Sequence, residues 1–406
     1  MKKTICLSLL AFSSLFAQSE LDALKEQLKQ QETAIESLES KVGALSQKSV
    51  PNTSASFSQN AYLPDIAFIM NMSAMSRNVK NSDYEAYSIP GFINGGDAEI
   101  QFNKDKGFNF NYTEVALSST VDPYFDAFVI FHISLDAFET EEAYVRTRAL
   151  PLGLRVKAGK FKSDFGRINS KHQHAWNFDS QPIIYETLFG PDAISDAGVQ
   201  LQWVAPIDMY LMAGVEAMQG TNDMSFGEAE RNNLYIGYLK SSIDVGDDLS
   251  ILAGVSLAHG ENVVNDSTNP TDVYGVDLTF REQLGSYSAL VWQSEYLYRN
   301  KDLGPRTDKQ AGLYSELVYQ ANNNWSGGVR YDAITKNDVD LSAYSVDAGN
   351  LDRYTAKLEY KPFPMSRLRL QYTYDRTKII AGERKDLSEV VLSLNIAAGA
   401  HGAHDY

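Results

Sequence analysis

Two histidines separated by one residue are the side chains in this sequence best suited to bind a metal ion. His172 and His174 lie in a segment without a strand pattern, and on an extended chain residues two apart point to the same side. Neutral imidazoles at that spacing suit one Zn²⁺ ion, with Asp179 and Glu186 available to complete its coordination. His259 ends a predicted strand nearby and is a third candidate ligand. The alternative interpretation is a pair of hydrogen-bonded loop histidines, so zinc is a candidate cofactor only.

Catalytic chemistry has less support. Residues 1–17 read as a secretory signal, with a basic start followed by a short apolar run, and they contain the single cysteine, Cys6. The chain that follows has no thiol for catalysis, disulfides or thiolate metal sites. His401 and His404 lie at the far end of the chain, and no spacing singles out a nucleophile beside any histidine. We predict that the protein is not an enzyme.

The elements that must position the histidines are strands. From residue 62 to the end, short segments with period-two alternation and many aromatic and β-branched residues recur, and we predict sixteen strands there. Short turns alternate with long polar loops such as 220–231, 260–270, 300–309 and 336–350. This alternation is typical of transmembrane barrels. The predicted fold class is all-β, a transmembrane antiparallel β-barrel over 62–406. The predicted strands are 62–74, 110–121, 126–136, 140–150, 154–164, 197–205, 208–219, 230–242, 249–259, 271–282, 286–298, 310–320, 324–334, 351–362, 366–377 and 388–406.

Composition agrees with a barrel and excludes other classes. The chain carries a formal net charge of −16, which makes it a poor non-specific binder of nucleic acid. It has 23 Tyr and 19 Phe, and no apolar run after residue 17 is long enough for a spanning helix. An exported barrel belongs in the outer membrane of a Gram-negative bacterium, where its partners are lipid and lipopolysaccharide.

A coiled coil is predicted before the barrel, over residues 18–45. Leu21, Leu28, Ile35 and Val42 repeat every seven residues, and a second apolar row runs beside them. Such heptads indicate a coiled coil, and the alternative is one amphipathic helix packed on the barrel. A coiled coil needs partners, so the segment favours an oligomer, with a homotrimer expected and the helix in the periplasm. Residues 46–61 are polar and read as a linker.

Several predicted strands have one apolar and one charged face. Charge on the lipid face costs about 2–4 kcal/mol for Arg or Lys at the membrane midplane, so the charged faces should line the lumen. One interpretation is a lumen that attracts anions; the other is that these residues pair with Asp and Glu and hold the pore open. The predicted pore-lining residues are Arg146, Arg148, Arg155, Lys157, Arg353, Lys357, Arg367 and Arg369.

The histidines lie in the third of the long loops, residues 166–196. About thirty residues without a strand signal are either disordered or functional. Trp176, Phe178, Tyr185 and Phe189 argue against disorder. We expect this loop to fold into the barrel and constrict the pore.

Four motifs in this region resemble a known family. They are KAGKFKSDFGRIN at 157–169, HQHAWNFDSQP at 172–182, LFG at 188–190 and DAGVQLQW at 196–203. They resemble proteobacterial outer-membrane barrels described as zinc-regulated, TonB-dependent-receptor-like proteins, related in shape to phosphate-selective porins. The resemblance implies an outer-membrane location and a link to zinc supply, with the histidine pair as distinctive residues. The chain departs from TonB-dependent receptors because the sequence shows no plug domain and no energy-coupling box.

Two functions follow as expectations. The first is a porin-like channel for passive passage of small hydrophilic solutes, anion-favouring if the basic rows are unpaired. The second is zinc acquisition by the loop histidines at the outer mouth of the barrel.

Overall fold

A computed structural model describes residues 29, 64–95, 97, 99–227, 233–264, 266–339, 351–380 and 382–399. The chain divides into two units, Met1–Tyr62 and Leu63–Tyr406, and every described residue except Lys29 lies in the second. The predicted signal, the linker, His401, His404 and, apart from Lys29, the predicted coiled coil lie outside the described residues.

Sixteen antiparallel strands form a closed barrel, and a small separate hairpin, β16–β17, lies before the last strand. The barrel strands are β1 (Asp65–Arg77), β2 (Gly107–Thr120), β3 (Phe125–Ile133), β4 (Phe138–Thr147), β5 (Leu154–Lys162), β6 (Ser195–Val204), β7 (Tyr210–Met218), β8 (Leu234–Val245), β9 (Leu249–Val264), β10 (Ser267–Gln283), β11 (Ala289–Asp302), β12 (Thr307–Gln320), β13 (Trp325–Asp338), β14 (Asp352–Phe363), β15 (Ser366–Asp375) and β18 (Leu387–Gly399). The hairpin strands are β16 (Ile379–Ile380) and β17 (Glu383–Arg384), and two short α-helices are α1 (Asn81–Tyr84) and α2 (Ile183–Phe189).

The predicted fold class is confirmed for the barrel, and each of the sixteen predicted strands overlaps an observed one. Two of the predicted long loops are wrong. β9 continues to Val264 and β10 begins at Ser267, whereas 260–270 was expected to be a loop. Likewise β11 continues to Asp302 and β12 begins at Thr307, so most of the predicted loop 300–309 belongs to strands. The prediction was wrong because these segments are polar. A strand that extends beyond the lipid-facing apolar band of a barrel needs no apolar face there.

The barrel wall is apolar outside and polar inside. On β15, Leu368, Leu370 and Tyr372 are exposed on the outer face, while Arg369 and Gln371 between them are buried. Successive side chains of a strand point to opposite faces, so one alternation supplies both surfaces. This polarity is the reverse of a soluble protein and is what a membrane-spanning barrel requires.

Polar side chains also mark the line where the barrel closes. β1 pairs with β18 on one side and β2 on the other, with Asn71 opposite Asn395. The Asn71 amide donates a 2.8 Å hydrogen bond to Asn395, and Asn111 donates to Asn71. Closure leaves every barrel strand paired on both edges, as a spanning sheet needs.

The connections differ at the two ends of the barrel. One end has short turns, such as the two residues between β14 and β15; the other carries the segments 78–106 and 163–194. Apolar side chains from these two segments pack inside the barrel in two clusters, one centred on Phe165, Tyr185 and Phe189 and the other on Tyr87 and Ile89. Among the described residues, no helix is long and apolar enough to span a membrane.

Candidate functional site

Residues 163–194, here called the inner loop, lie within the barrel. Helix α2 packs against β12 and β13. Loop groups make hydrogen bonds to inward-facing side chains of β7, β10, β13 and β18, which are spread around the wall. The inner loop therefore crosses the lumen and is fastened to the wall at several points.

The start of the inner loop is tightly fixed at Gly166. Its φ of +62° lies in the left-handed region, and a Cβ there would lie 2.1 Å from Glu295 Oε1. Tyr185 donates a 2.8 Å hydrogen bond to the same Glu295 oxygen, and the Arg167 backbone N–H donates another at 3.1 Å. Only glycine fits this backbone conformation so close to a buried carboxylate.

One flank of the inner loop is held by three arginines, and we call this flank the basic side. They are Arg330 of β13, Arg353 of β14 and Arg369 of β15. Arg369 donates to Glu359 at 2.9 Å, to Asp179 at 3.2 Å and to the Trp176 carbonyl at 3.0 Å. Arg330 donates to the Ser180 carbonyl at 2.8 Å. Each of these guanidinium groups is buried with partners for several of its N–H groups, which a buried cation needs.

Helix α2 is held to the basic side by Glu186. Its carboxylate lies 3.2 Å from Arg353 Nη1 and 3.2 Å from Lys378 Nζ. Burial alone would raise the pKa of Glu186, but Lys378 and then Arg353 outweigh burial and lower it below its usual range. Glu186 is therefore ionised at neutral pH and belongs to an internal ion-pair network.

Most of the predicted pore-lining basic residues are paired in the same way. Glu359 lies within 4 Å of Lys357, Arg367 and Arg369. Asp126 lies 3.9 Å from Arg146 and 3.4 Å from Arg148. The remaining pairs are Lys157 with Asp164 at 3.8 Å and Arg353 with Glu186 and Asp332; Arg155 makes no ion pair among the described residues.

The opposite flank of the inner loop, here called the acidic side, carries the histidine pair. His172 Nδ1 lies 3.0 Å from Glu114 Oε2 on β2 and 3.1 Å from Glu141 Oε2 on β4. His174 Nδ1 lies 3.3 Å from the same Glu114 oxygen. Glu142 Oε2 lies 3.7 Å from His172 Nε2. Glu114, Glu141 and His172 form a group whose chemistry suits a metal ion.

A β-bulge makes this arrangement possible. Ile130 of β3 pairs with Glu142, but the next residue, Phe131, pairs with Thr140, so Glu141 is the extra residue. Adjacent strand residues normally face opposite sides, whereas both Glu141 and Glu142 approach His172. The consecutive glutamates were visible in the sequence, but a bulge has no reliable sequence pattern.

Three of the expected metal ligands are elsewhere. Asp179 binds Arg369 and Ser393, and Glu186 binds Arg353 and Lys378, so both belong to the basic side. His259 is also remote, because it shares the outer face of β9 with Val255 and Leu257. Its side chain is 53% exposed, 2.7 Å from Asp272. Residue spacing along the chain could not reveal which wall residues the inner loop meets.

The carboxylates around His172 control its charge. Burial alone would lower the pKa of His172, but Glu141 and Glu114 together raise it well above its usual range. In the absence of another cation the imidazole is therefore protonated at neutral pH. The acidic side concentrates negative charge strongly enough to hold a buried cation.

At least two cavities adjoin the inner loop. A small one of about 80 Å³ borders His172, Glu114 and Glu141. A larger one of about 400 Å³ is lined by both inward-folded segments. Four carboxylates in the lining of the larger cavity have no Lys or Arg within 4 Å in the part of the chain that the structure describes. They are Asp97, Glu99, Asp192 and Asp223.

Acidic side chains outnumber basic ones in the lining of the larger cavity, and the pKa of Glu99 reflects the negative charge around it. Partial burial raises the pKa of Glu99, and the nearby carboxylates of Asp192, Glu139 and Asp223 raise it further. Like charges favour the protonated form of a carboxyl. The potential in this cavity therefore attracts cations.

The sixteen-strand barrel with a long loop inside it is a porin-type fold. Three solved structures resemble it: the anion-selective porin from Comamonas acidovorans (TM-score 0.55, 12% identity, 82% of this chain and 99% of that one), the outer-membrane channel DcaP of Acinetobacter baumannii (0.54, 12%, 82% and 97%) and Pseudomonas putida OprB (0.53, 11%, 84% and 95%). At these identities the likeness concerns the fold.

A sequence relative defines the family more narrowly. An uncharacterized protein of Aquifex aeolicus (strain VF5) is 38% identical over 383 residues, covering 86% of this chain and 81% of the relative. The chain belongs to the same family as this Aquifex protein. No family model matches the chain. The resemblance to zinc-regulated, TonB-dependent-receptor-like proteins gains no support from these comparisons, whereas the expected likeness in shape to porins does.

Proposed function

We propose that this protein is a porin-like channel of the outer membrane through which small hydrophilic solutes pass passively. The observation that carries the proposal is a closed barrel with an apolar outer face and a polar lumen crossed by a charged loop. Sixteen strands are wide enough to leave an aqueous passage. The inner loop narrows that passage, and its contacts all round the wall keep it in place.

The charge preference of the channel follows from which charges are paired. Most residues of the basic rows that predicted an anion-favouring lumen have a carboxylate within 4 Å, that of Glu359, Asp126 or Glu186. Among the described residues, the cavity beside the inner loop instead presents carboxylates that have no Lys or Arg within 4 Å, including those of Glu99 and Asp192. We therefore propose a preference for cationic over anionic solutes, with anion preference as the competing expectation.

Single-channel recording in planar bilayers tests passage. We expect discrete conductance steps from the wild-type protein and larger steps when residues 170–191 are replaced by a short Gly-Ser linker. Absence of steps from correctly folded protein would overturn the channel. Equal conductance in the two proteins would overturn the constriction by the inner loop.

Reversal potentials in a KCl gradient test charge preference. We expect a potential of the sign that indicates K⁺ permeation, reduced in a Glu99→Gln/Asp192→Asn variant. Asp247→Asn is the matched control, because Asp247 is an exposed acid in the short turn between β8 and β9. A clear anion preference in the wild type, or an equal change in the control, contradicts the proposal.

Zinc acquisition by the loop histidines is the second candidate function. It is favoured by the convergence of His172 with Glu114 and Glu141. It is opposed by burial, since His172 is only 2% exposed, whereas a capture site must load from the medium. Zinc-limited growth of a strain lacking the protein, with and without a His172→Ala/His174→Ala copy, tests it. Equal growth of all strains removes this candidate.

Assembly and orientation stay predictions from the sequence. A homotrimer formed through residues 18–45, with that segment in the periplasm, is checked by cross-linking the full chain and a variant lacking 18–45. A trimer band that persists without the segment contradicts the coiled-coil assembly.

A further inference from the structure

The acidic side of the inner loop carries the strongest unexplained cluster in the lumen. Glu114 is 1% exposed and has one oxygen, Oε2, near both histidine rings. Its other oxygen, Oε1, is buried and has no hydrogen-bond partner among the described residues. A buried carboxylate oxygen without a partner costs free energy unless a cation or donor satisfies it.

We propose that His172 Nδ1, Glu114 and Glu141 bind one divalent transition-metal ion of the Zn²⁺ class. The spacing of the three donor atoms supports this. Zn²⁺ binds nitrogen and oxygen at about 2.0–2.2 Å, so adjacent ligands of a tetrahedron lie about 3.3–3.6 Å apart. The observed separations from His172 Nδ1 are 3.0 Å to Glu114 Oε2 and 3.1 Å to Glu141 Oε2. One donor atom from each of the three residues lies within 4.8 Å of the other two. A small expansion about His172 Nδ1 is therefore needed to admit the ion.

Several donor atoms converge at one nitrogen of His172. One imidazole nitrogen carries at most one hydrogen, yet two carboxylate oxygens approach His172 Nδ1. The Glu114 oxygen in turn faces a second imidazole, His174. A cation bound by His172, Glu114 and Glu141 takes a lone pair from each of these three residues, and His174 stays beside Glu114.

The surrounding charges also fit a divalent ion. With a neutral imidazole, Glu114, Glu141 and Glu142 contribute three negative charges, and Lys162, 3.0 Å from Glu141 Oε1, supplies one positive charge. Among these four side chains negative charge is in excess, and Glu139, Asp192 and Lys160 line the same small cavity. Glu142 lies beyond the far nitrogen of His172, where metal sites commonly place a carboxylate to orient the ring.

The fourth coordination position faces the small cavity. That cavity, about 80 Å³, borders all three proposed ligands and has room for a water molecule. His174 supports Glu114 rather than binding the ion itself. A mixed imidazole and carboxylate set favours Zn²⁺ and its neighbours over Ca²⁺ or Mg²⁺, which prefer oxygen ligands alone.

Metal binding at this position ties together three parts of the fold. His172 belongs to the inner loop, Glu114 to β2 and Glu141 to β4. The ion therefore fastens the inner loop to the wall opposite the arginines of the basic side. If the protein is a channel as proposed above, removal of the ion alters its conductance.

Titration of the chelator-treated, full-length protein with Zn²⁺ alone tests the site. The background carries His401→Ala and His404→Ala, so that the tail cannot bind the ion. We expect one Zn²⁺ per chain, bound at least about 100-fold more weakly after Glu114→Gln or His172→Ala, since ligand loss exceeds the effect of losing an outer partner. His259→Ala, the outer-face histidine, is the matched control and should bind as the background does.

Absence of saturable binding at micromolar Zn²⁺, or binding that Glu114→Gln and His172→Ala leave unchanged, overturns the site. Glu141→Gln replaces any variant that fails to fold, as judged by circular dichroism. Conductance with and without Zn²⁺ separates the two proposals. A channel whose conductance ignores Zn²⁺ contradicts the role of the ion in fixing the loop, whereas Zn²⁺ binding without any conductance contradicts the channel and leaves the site standing.

Discussion

The inner loop is held by two flanks of opposite chemistry. On the basic side, Arg330, Arg353 and Arg369 meet loop carbonyls and carboxylates, and each of the three has a carboxylate within 4 Å. On the acidic side, Glu114 and Glu141 crowd around His172, and negative charge is in excess. The carboxylates of the basic side therefore have cationic partners within the chain, whereas those of the acidic side require a proton or a metal ion.

Removing an arginine from the basic side should have the largest effect. Arg369→Ala leaves the buried Asp179 without its cation and takes from Glu359 the nearest of its cations, which costs about 3–5 kcal/mol. The free energy of unfolding, measured by urea titration in detergent, checks this. Arg148→Ala is the control, because its side chain is 43% exposed beside Asp126 and such pairs contribute about 0–1 kcal/mol. Equal losses in the two variants would mean that the buried network does not hold the loop.

A substitution on the acidic side should cost less when no metal is present. In chelator, Glu114→Gln removes one carboxylate from a group with excess negative charge, and Glu141 remains beside His172. The expected loss is about 1–3 kcal/mol, the range for a buried polar group that loses its partner. The same urea titration measures it. A loss as large as that of Arg369→Ala would show that the acidic side is the main attachment of the loop even without metal.

Of the three changes, lowering the pH should reduce the free energy of unfolding least, through protonation of Glu186 on the basic side. The folded pKa of Glu186 is lowered, so its stabilisation is present above the unfolded value of about 4.3 and is lost as the pH falls through the folded value. The unfolding free energy of the wild type should therefore fall more steeply below about pH 4 than that of Glu186→Gln. Parallel pH profiles would contradict a charged attachment at Glu186.

The sequence by itself determined the barrel. Alternation in segments such as 366–377 sets which residues face lipid and which face the lumen, because a strand has only two faces. The short turns between successive segments, such as Pro362–Met365, then predict antiparallel neighbours and an up-and-down topology. The same local patterns placed the basic rows of β14 and β15 on the inner face, where the structure has them.

Only the tertiary structure decided what those residues do. Whether Arg369 attracts a solute or binds Asp179 depends on a contact between residues 190 positions apart, and no local pattern encodes it. The partners of His172 likewise depend on a bulge at Glu141 and on the loop crossing the lumen. Strand register and side-chain alternation are local properties, whereas the pairing of charges across a lumen follows from the closed barrel as a whole.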